Sequence, residues 1–318
     1  MSLFINLVQN ESMKIFKKTG TKVMFLILIA LIAVIGLVTR FFIGEPADEA
    51  ADWETVLQQE VQMIEQQLES GEIPPRAAEG LQEQHDLYMY HLEEGIEPLN
   101  SSHRWYFIVN NPQFVNFLTM FTVIIAAGII AGEHSNGTIK LLLIRPVKRW
   151  KILLSKWLAA MLFSLVMLAT LIIFSVAAGF LIFGFSPEPV RVVEIAGGSI
   201  RDMHVALYGA VMYGLAYIEL IIMTTFAFMI GTVFRNQSLA IGLSLVLLFT
   251  GGQIAYLLSN YNWMKFYLFA NTYMIQFFEG QPIIEGLTPL FSSIVLIVYF
   301  SLFMLIAMVA FTKRDVAD

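Results

Sequence analysis

"LLSKWLAAMLFSLVMLATLIIFSVAAGFLIFG", residues 153–184, carries a single charge, Lys156, in an otherwise apolar run. About 20 mostly apolar residues suffice for a helix to cross the hydrocarbon core. This run exceeds that length, so it must tilt or extend past the membrane. Five further stretches meet the same criterion, near 22–42, 113–132, 204–234, 238–258 and 289–312. The whole chain is 57% hydrophobic and 14% charged over 318 residues, with mean hydropathy +0.70. No soluble domain hides that much apolar surface, which places the chain among polytopic membrane proteins. Strand patterning is absent at span length, and only helices satisfy their own backbone within one segment in lipid. The expected fold class is therefore all-α, with six transmembrane helices. The first apolar run begins near Val23 without a small-residue cleavage site, so no cleavable signal peptide is expected.

The basic residues fix the expected orientation. Lys14, Lys17, Lys18 and Lys22, the six basic residues of 133–156, Arg235, Lys313 and Arg314 fall on one side, 13 of the 19 in all. Arg76, Arg104, Arg191, Arg201 and Lys265 make 5 on the other, and Arg40 snorkels from the end of the first span. By the positive-inside rule both termini and the 133–156 loop are cytoplasmic, in a plasma-membrane protein. Residues 43–112 are then extracytoplasmic, with 15 acids against two arginines. In this segment Trp53, Leu57, Ile64 and Leu68 share one helical stripe, and Leu81, Tyr88 and Leu92 another. Gly71 and Pro74–Pro75 mark the corner of an antiparallel hairpin. A solvated acidic cap is its plainer reading, a ligand-capturing lid the sharper one.

Residues 1–21 are too polar to cross. Phe4, Leu7, Val8 and Ile15 lie on one face and Lys14, Lys17 and Lys18 on another, as in a helix lying on the inner leaflet. A simple anchor and a lever to a cytoplasmic partner are equally compatible with that pattern. The organisation expected is thus this interface helix, a span at 22–42, the acidic hairpin at 43–112, and five spans in 113–318 around a cytoplasmic loop at 133–152.

That loop belongs to "GEHSNGTIKLLLIRPVKRWKILLSKW", residues 132–157, with six basic residues against one acid, Glu133. Asn136–Gly137 reads as a turn, and Ser135 or Thr138 as a cap for the next helix. Thr138 to Arg145 makes a helix of about two turns, stopped by Pro146. Ile139, Leu142 and Leu143 form its apolar face, and so short a helix needs packing to hold it. Charges alone would satisfy the topology rule, so the turn, helix and stop imply a docking element.

Glu133–x–x–x–Gly137–Thr138–Ile139–Lys140, then Arg145–Pro146–Val147–x–Arg149 and "ILLSK", resembles the permeases of type-2 ATP-binding-cassette (ABC) exporters. The N-terminal "NESMKIFKK" is similar to the same family's interfacial helix, and the six-span plan extends the resemblance over the whole chain. The resemblance implies that Glu133, Gly137, Thr138, Ile139, Leu142, Leu143, Arg145 and Pro146 form a coupling helix that docks into a separate ATPase subunit. It implies a second permease subunit, identical or different, and places ATP and Mg on the ATPase rather than on this chain. The large 43–112 insertion departs from the smallest members of the family and leaves the cargo open.

Within the spans, Glu219 is the residue that asks for an explanation. A carboxylate at that depth costs at least ~2.5 kcal/mol on insertion scales, so it should face the bundle interior. It is either a contact on a substrate path or a neutral group bonded to tyrosine or threonine neighbours. Gly128 and Gly132, and Ala206, Ala210 and Gly214, suit close helix packing, more simply within one protomer. "TGGQ" at 250–253 resembles the ABC ATPase signature only faintly and lies inside a span, so it is set aside. The aromatic-rich stretch 260–287, with Gly280 and Pro282, reads first as a membrane-boundary belt, second as an interfacial or partly re-entrant segment. Cysteine is absent, the five histidines form no HExxH, and there is no phosphate loop. The chain is expected to be no enzyme itself, to carry no cofactor or metal, and to meet membrane lipids but no nucleic acid. The expected function is export of a drug, peptide antibiotic or lipid-like substrate. The alternative is a non-transporting sensor or immunity protein that binds an extracellular peptide.

Overall fold

The computed structural model describes residues 2–43, 53–70, 74–100, 103–139, 147–184, 190–196, 199–280, 282–284 and 286–313. In chain order they form α1 (Ser2–Lys17), α2 (Thr19–Val38, prolonged by a wider turn at Thr39–Ile43), α3 (Trp53–Ser70), α4 (Pro75–Glu94), α5 (Arg104–Asn110) and α6 (Val115–Ser135). Then come α7 (Arg149–Phe183), β1 (Arg191–Ala196), β2 (Ser199–His204), α8 (Val205–Val233), α9 (Gln237–Leu257), the short α10 (Leu268–Thr272) and α11 (Ile275–Phe278), and α12 (Pro289–Lys313). Six helical segments are long and apolar enough to cross a membrane: Thr19–Phe42, Arg104–Ser135, Arg149–Phe183, Val205–Val233, Gln237–Leu257 and Pro289–Lys313. The protein is an all-α, multi-pass membrane protein.

α6 and α8 form the centre of the bundle. Val123, Ala126, Ala127, Ile130 and Ala131 of α6 are buried against Ile222, Met223, Ala227 and Ile230 of α8. The small residues let the backbones meet: a Cβ on Gly231 would collide with the Ala127 backbone. Lipid is as apolar as leucine, so close packing of this kind, rather than hydrophobic burial, holds spans together. Gly128 and Gly132 of α6 serve the same end, with a Cβ at each meeting the Gln237 side chain of α9 at 3.2 and 3.0 Å. Their packing is within the protomer. Ala206, Ala210 and Gly214 instead stay exposed on α8.

Three expectations need correction. The stretch 104–112 does not belong to the acidic hairpin: α5 packs on α7 and α8, with Phe107, Ile108 and Val109 buried. Apolar side chains and a buried Arg104, stacked 5.0 Å from the Phe180 ring, pull it into the bundle. Between the third and fourth spans lies an antiparallel β-hairpin, with Arg191 opposite His204 and Glu194 opposite Arg201. Its alternating "RVVEIA" and "SIRDMH" are shorter than a span, which is why a search at span length passes over them. The aromatic stretch is more than a boundary belt. Tyr261, Trp263 and Phe266 are exposed, but Leu268–Thr272 is wholly buried. Asn271 staples it, donating to the Lys265 and Tyr267 carbonyls and accepting from Ser292 Oγ at 2.6 Å.

α3 and α4 pack on each other with Leu57, Val61 and Ile64 inward, as the stripe predicts. Pro75 opens α4 and Gly95 closes it in the left-handed region at φ 65°. The corner residues Gly71–Ile73 lie outside the described residues. The hairpin is tied to the bundle through the β-hairpin, where the Tyr90 hydroxyl donates to Asp202 Oδ2 at 3.2 Å. Asp202 also pairs with Arg191. One face of the bundle, the terminal side, carries α1 and the end of α12; the opposite face is the hairpin side.

Candidate functional site

On the terminal side one buried cation gathers three elements. α7 is 35 residues long, about 52 Å at helical rise, so its first turns extend beyond a hydrocarbon core of about 30 Å. Lys156 stands about two turns in and is fully buried. Its Nζ donates to Glu11 Oε2 of α1 at 2.6 Å and to Glu133 Oε1 of α6 at 2.7 Å. Lys14 adds a second cation, 2.7 Å from Glu11 Oε1 and 3.6 Å from Glu133 Oε1. Burial on its own would raise the Glu11 carboxyl. The Lys156 and Lys14 ammonium groups outweigh it and hold Glu11 below its ordinary 4.5. Phe16 of α1 packs on Phe25 of α2 and Phe163 of α7, an aromatic clasp beside the charges. Lys156 is thus no solvated loop charge: only a paired ammonium group survives at that burial.

The loop after α6 begins as the sequence predicts. Asn136–Gly137 turns, with Gly137 at φ 69° and its N–H donating to His134 O at 3.1 Å. Thr138 Oγ1 donates to the Glu133 carbonyl at 3.4 Å. Ser135 does not cap the next helix: its Oγ donates to Arg235 O and accepts from Gln237 N, bridging to the α8–α9 corner. Ile139 is buried among this chain's own Val123, Ile152 and Phe311 cluster, so its apolar contact is internal rather than left for a partner. Leu142, Leu143, Arg145 and Pro146 lie outside the described residues. Glu133, Asn136 and Thr138 line a cleft of about 360 Å³ together with Glu11, Lys14 and Gln237. The Glu133 Oε2 atom is buried there without a hydrogen-bond partner among the described residues.

On the hairpin side Glu219 lies beside a smaller cavity of about 70 Å³, shared with Glu279, Tyr208, Tyr273, Asn110 and Asn116. Glu219 is part-buried and is one of the residues that line this cavity. Two of the tyrosine and threonine neighbours bond elsewhere: Tyr213 donates to Ile108 O at 2.9 Å, and Thr225 to Ile221 O at 2.7 Å. Glu279 stands exposed at the mouth, accepting from the Tyr273 hydroxyl at 3.4 and 3.3 Å. Burial raises the Glu279 carboxyl above 4.5, and the Tyr273 bonds offset this only in part. The arginine nearby is committed: Arg201 donates to Glu194 Oε1 at 3.2 Å and to Phe278 O at 3.1 Å, stacked 4.2 Å over the Phe278 ring.

Sequence reasoning named Glu133 and Glu219 but missed the residues that give them their settings. Glu11, the single acid before the first span, and Lys156, the single charge in residues 153–184, were the available signals. Nothing local marked Glu279.

Similarity to known proteins extends over most or all of this bundle. The profile of a family described as "Protein of unknown function (DUF2705)" matches residues 81–317. The chain belongs to this DUF2705 family. It is 34% identical over 318 residues to "Uncharacterized protein YhcI" of Bacillus subtilis (strain 168), covering 99% of this chain and 100% of that protein. It is 32% identical over 208 residues to "Uncharacterized membrane protein YdbK" of the same organism, covering 64% of this chain and 80% of that one. The DUF2705 match takes in every span but the first, and YhcI is matched along the full bundle, α1 included.

Proposed function

We propose that this DUF2705 protein is the permease subunit of an ABC exporter, driven by ATP hydrolysis on a separate subunit, with both termini in the cytoplasm. The observation that carries the reading is the Lys156 junction. It clamps the interfacial helix α1, the α6 end that opens the basic loop, and the third span to one buried ammonium group. A loop that served only topology would need no such anchor. A loop that transmits force from an ATPase needs a rigid footing in the spans, and the Glu133 contact supplies one directly beside the Gly137–Thr138 turn. The resemblance of 133–156 to type-2 exporters supports the same assignment. The α3–α4 hairpin and the cavity at Glu219 then face the outside.

A second reading has one observation in its favour. The acidic hairpin reaches the fourth span through Tyr90, Asp202 and the β-hairpin that runs directly into α8. That linkage suits a sensor whose hairpin binds an extracellular peptide and moves α8.

Co-purification separates the two. The exporter brings down a chain with a phosphate-binding loop, and Leu142→Asp abolishes that association while insertion stays normal. An unpaired charge at a docking face has no compensation for its desolvation. Retained ATPase binding and transport in Leu142→Asp would sink the exporter reading. Orientation has its own test, because the chain has no cysteine. An impermeant thiol reagent on intact cells should label Glu69→Cys and leave Lys148→Cys untouched.

A further inference from the structure

We propose that the hairpin-side cavity is a binding site for the ammonium head of an amine, held between Glu219 and Glu279. Glu219 carries the proposal. It is a part-buried carboxylate within a membrane-spanning helix, it lines the cavity, and it has neither hydrogen bond nor ion pair among the described residues. A carboxylate held in that setting is costly unless something cationic neutralises it or a proton does. No lysine or arginine among the described residues lines the cavity. The closest candidate, Arg201, already serves Glu194 and the Phe278 carbonyl.

The remaining walls narrow the ligand. Asn110 spends its amide N–H on the Tyr106 carbonyl at 2.9 Å, which leaves its side-chain oxygen as an acceptor. Acceptor oxygens from Glu219, Glu279 and Asn110 match the N–H donors of an ammonium group. The rings of Tyr208 and Tyr273 give it faces of the kind that attract cations. A metal ion is the poorer fit, since no three acidic or histidine side chains converge anywhere among the described residues. At about 70 Å³ the cavity takes a head group of a few atoms. It falls well below the roughly 300–1,000 Å³ of a pocket for a whole drug-sized molecule. The bulk of any larger amine would stay outside, past Glu279 and the exposed Tyr273 at the mouth. The proposal concerns binding by this chain alone and stands whether or not the chain transports.

The test uses the full chain in lipid nanodiscs, with n-butylammonium chloride as probe and sodium chloride at equal ionic strength as reference. Thermal unfolding followed by intrinsic fluorescence should show a saturable rise in Tm with n-butylammonium that sodium does not reproduce. Glu219→Gln and Glu279→Gln should each weaken the apparent affinity by about tenfold or more, the loss of one charge-assisted contact. Glu65→Gln, an exposed carboxylate of α3 beside His85, should leave it unchanged. If Glu219→Gln does not fold, Glu279→Gln at the exposed mouth decides the matter by itself. A rise shared equally with sodium, no saturable rise in the native chain, or affinity unaffected in the foldable glutamine variants overturns the proposal and leaves Glu219 simply protonated.

Discussion

On the terminal side Glu11 and Glu133 close on Lys156 at 2.6 and 2.7 Å, with Lys14 alongside. On the hairpin side Glu219 and Glu279 share a cavity that no described lysine or arginine lines. Both regions put carboxylates where a bundle of spans should avoid them, yet among the described residues only the first supplies the opposite charge. The difference teaches what each region is for. A buried cluster of opposite charges locks elements into one arrangement, and breaking it is expensive because the survivors stay buried. A part-buried carboxylate that lines a cavity and bonds to no described residue holds nothing together and is free to receive something.

The largest effect should come from removing the shared cation. Lys156→Met leaves Glu11 and Glu133 facing each other and should cost about 3–5 kcal/mol, the usual penalty for orphaning a buried charge. Thermal unfolding in detergent measures it, and detachment of α1 should appear as protease sensitivity near Lys18. Adding Glu11→Gln and Glu133→Gln to Lys156→Met should restore a large part of the loss. If the triple variant is no better than Lys156→Met alone, packing around Leu153 and Ala160 matters more than charge.

Glu11→Gln in the native chain comes next. Lys156 keeps Glu133, and an amide oxygen still accepts one bond, so a loss of about 1–2 kcal/mol is expected. The readout is the same melt, with Lys14→Ala as the comparison. Lys14 is half-exposed, and its loss should fall within the about 0–1 kcal/mol of surface pairs.

Acid titration should then separate the two sides by sign. Glu11 has a folded value below 4.5, so its contribution is present above 4.5 and is lost as pH falls through that lowered value. Glu279 has a folded value above 4.5. Its ionisation therefore opposes folding, and stability is regained as pH falls from the raised value towards 4.5. Melts of Glu11→Gln and Glu279→Gln against the native chain, taken across this range, should show difference curves of opposite slope. Equal slopes would show that the two carboxylates share one environment.

The smallest effect is expected for Glu279→Gln at neutral pH. The side chain stands at the cavity mouth, and its change in stability should stay within about 0.5 kcal/mol, as for most exposed positions. A large loss there would turn the hairpin-side cavity into a second lock and erase the contrast with Lys156.

Much of this architecture is legible in the amino-acid sequence. The number of spans, the all-α class and the α3–α4 hairpin come from the length and period of apolar runs, because lipid tolerates only backbones that satisfy themselves. The turn at Asn136–Gly137 comes from chemistry local to two residues. The membership of α5 in the bundle was decided by contacts with α7 and α8, which 104–112 does not advertise. The β-hairpin was decided by a register between two strands, each too short to announce itself by length. The charge cluster is the clearest case. Glu11, Glu133 and Lys156 stand apart as isolated charges in sequence, separated by 122 and 23 residues, and no period connects them. Whether each charge meets its opposite, as Lys156 does, or meets none among the described residues, as Glu219 does, depends on which helix faces abut, and a pairwise interaction across helices exists only once they pack.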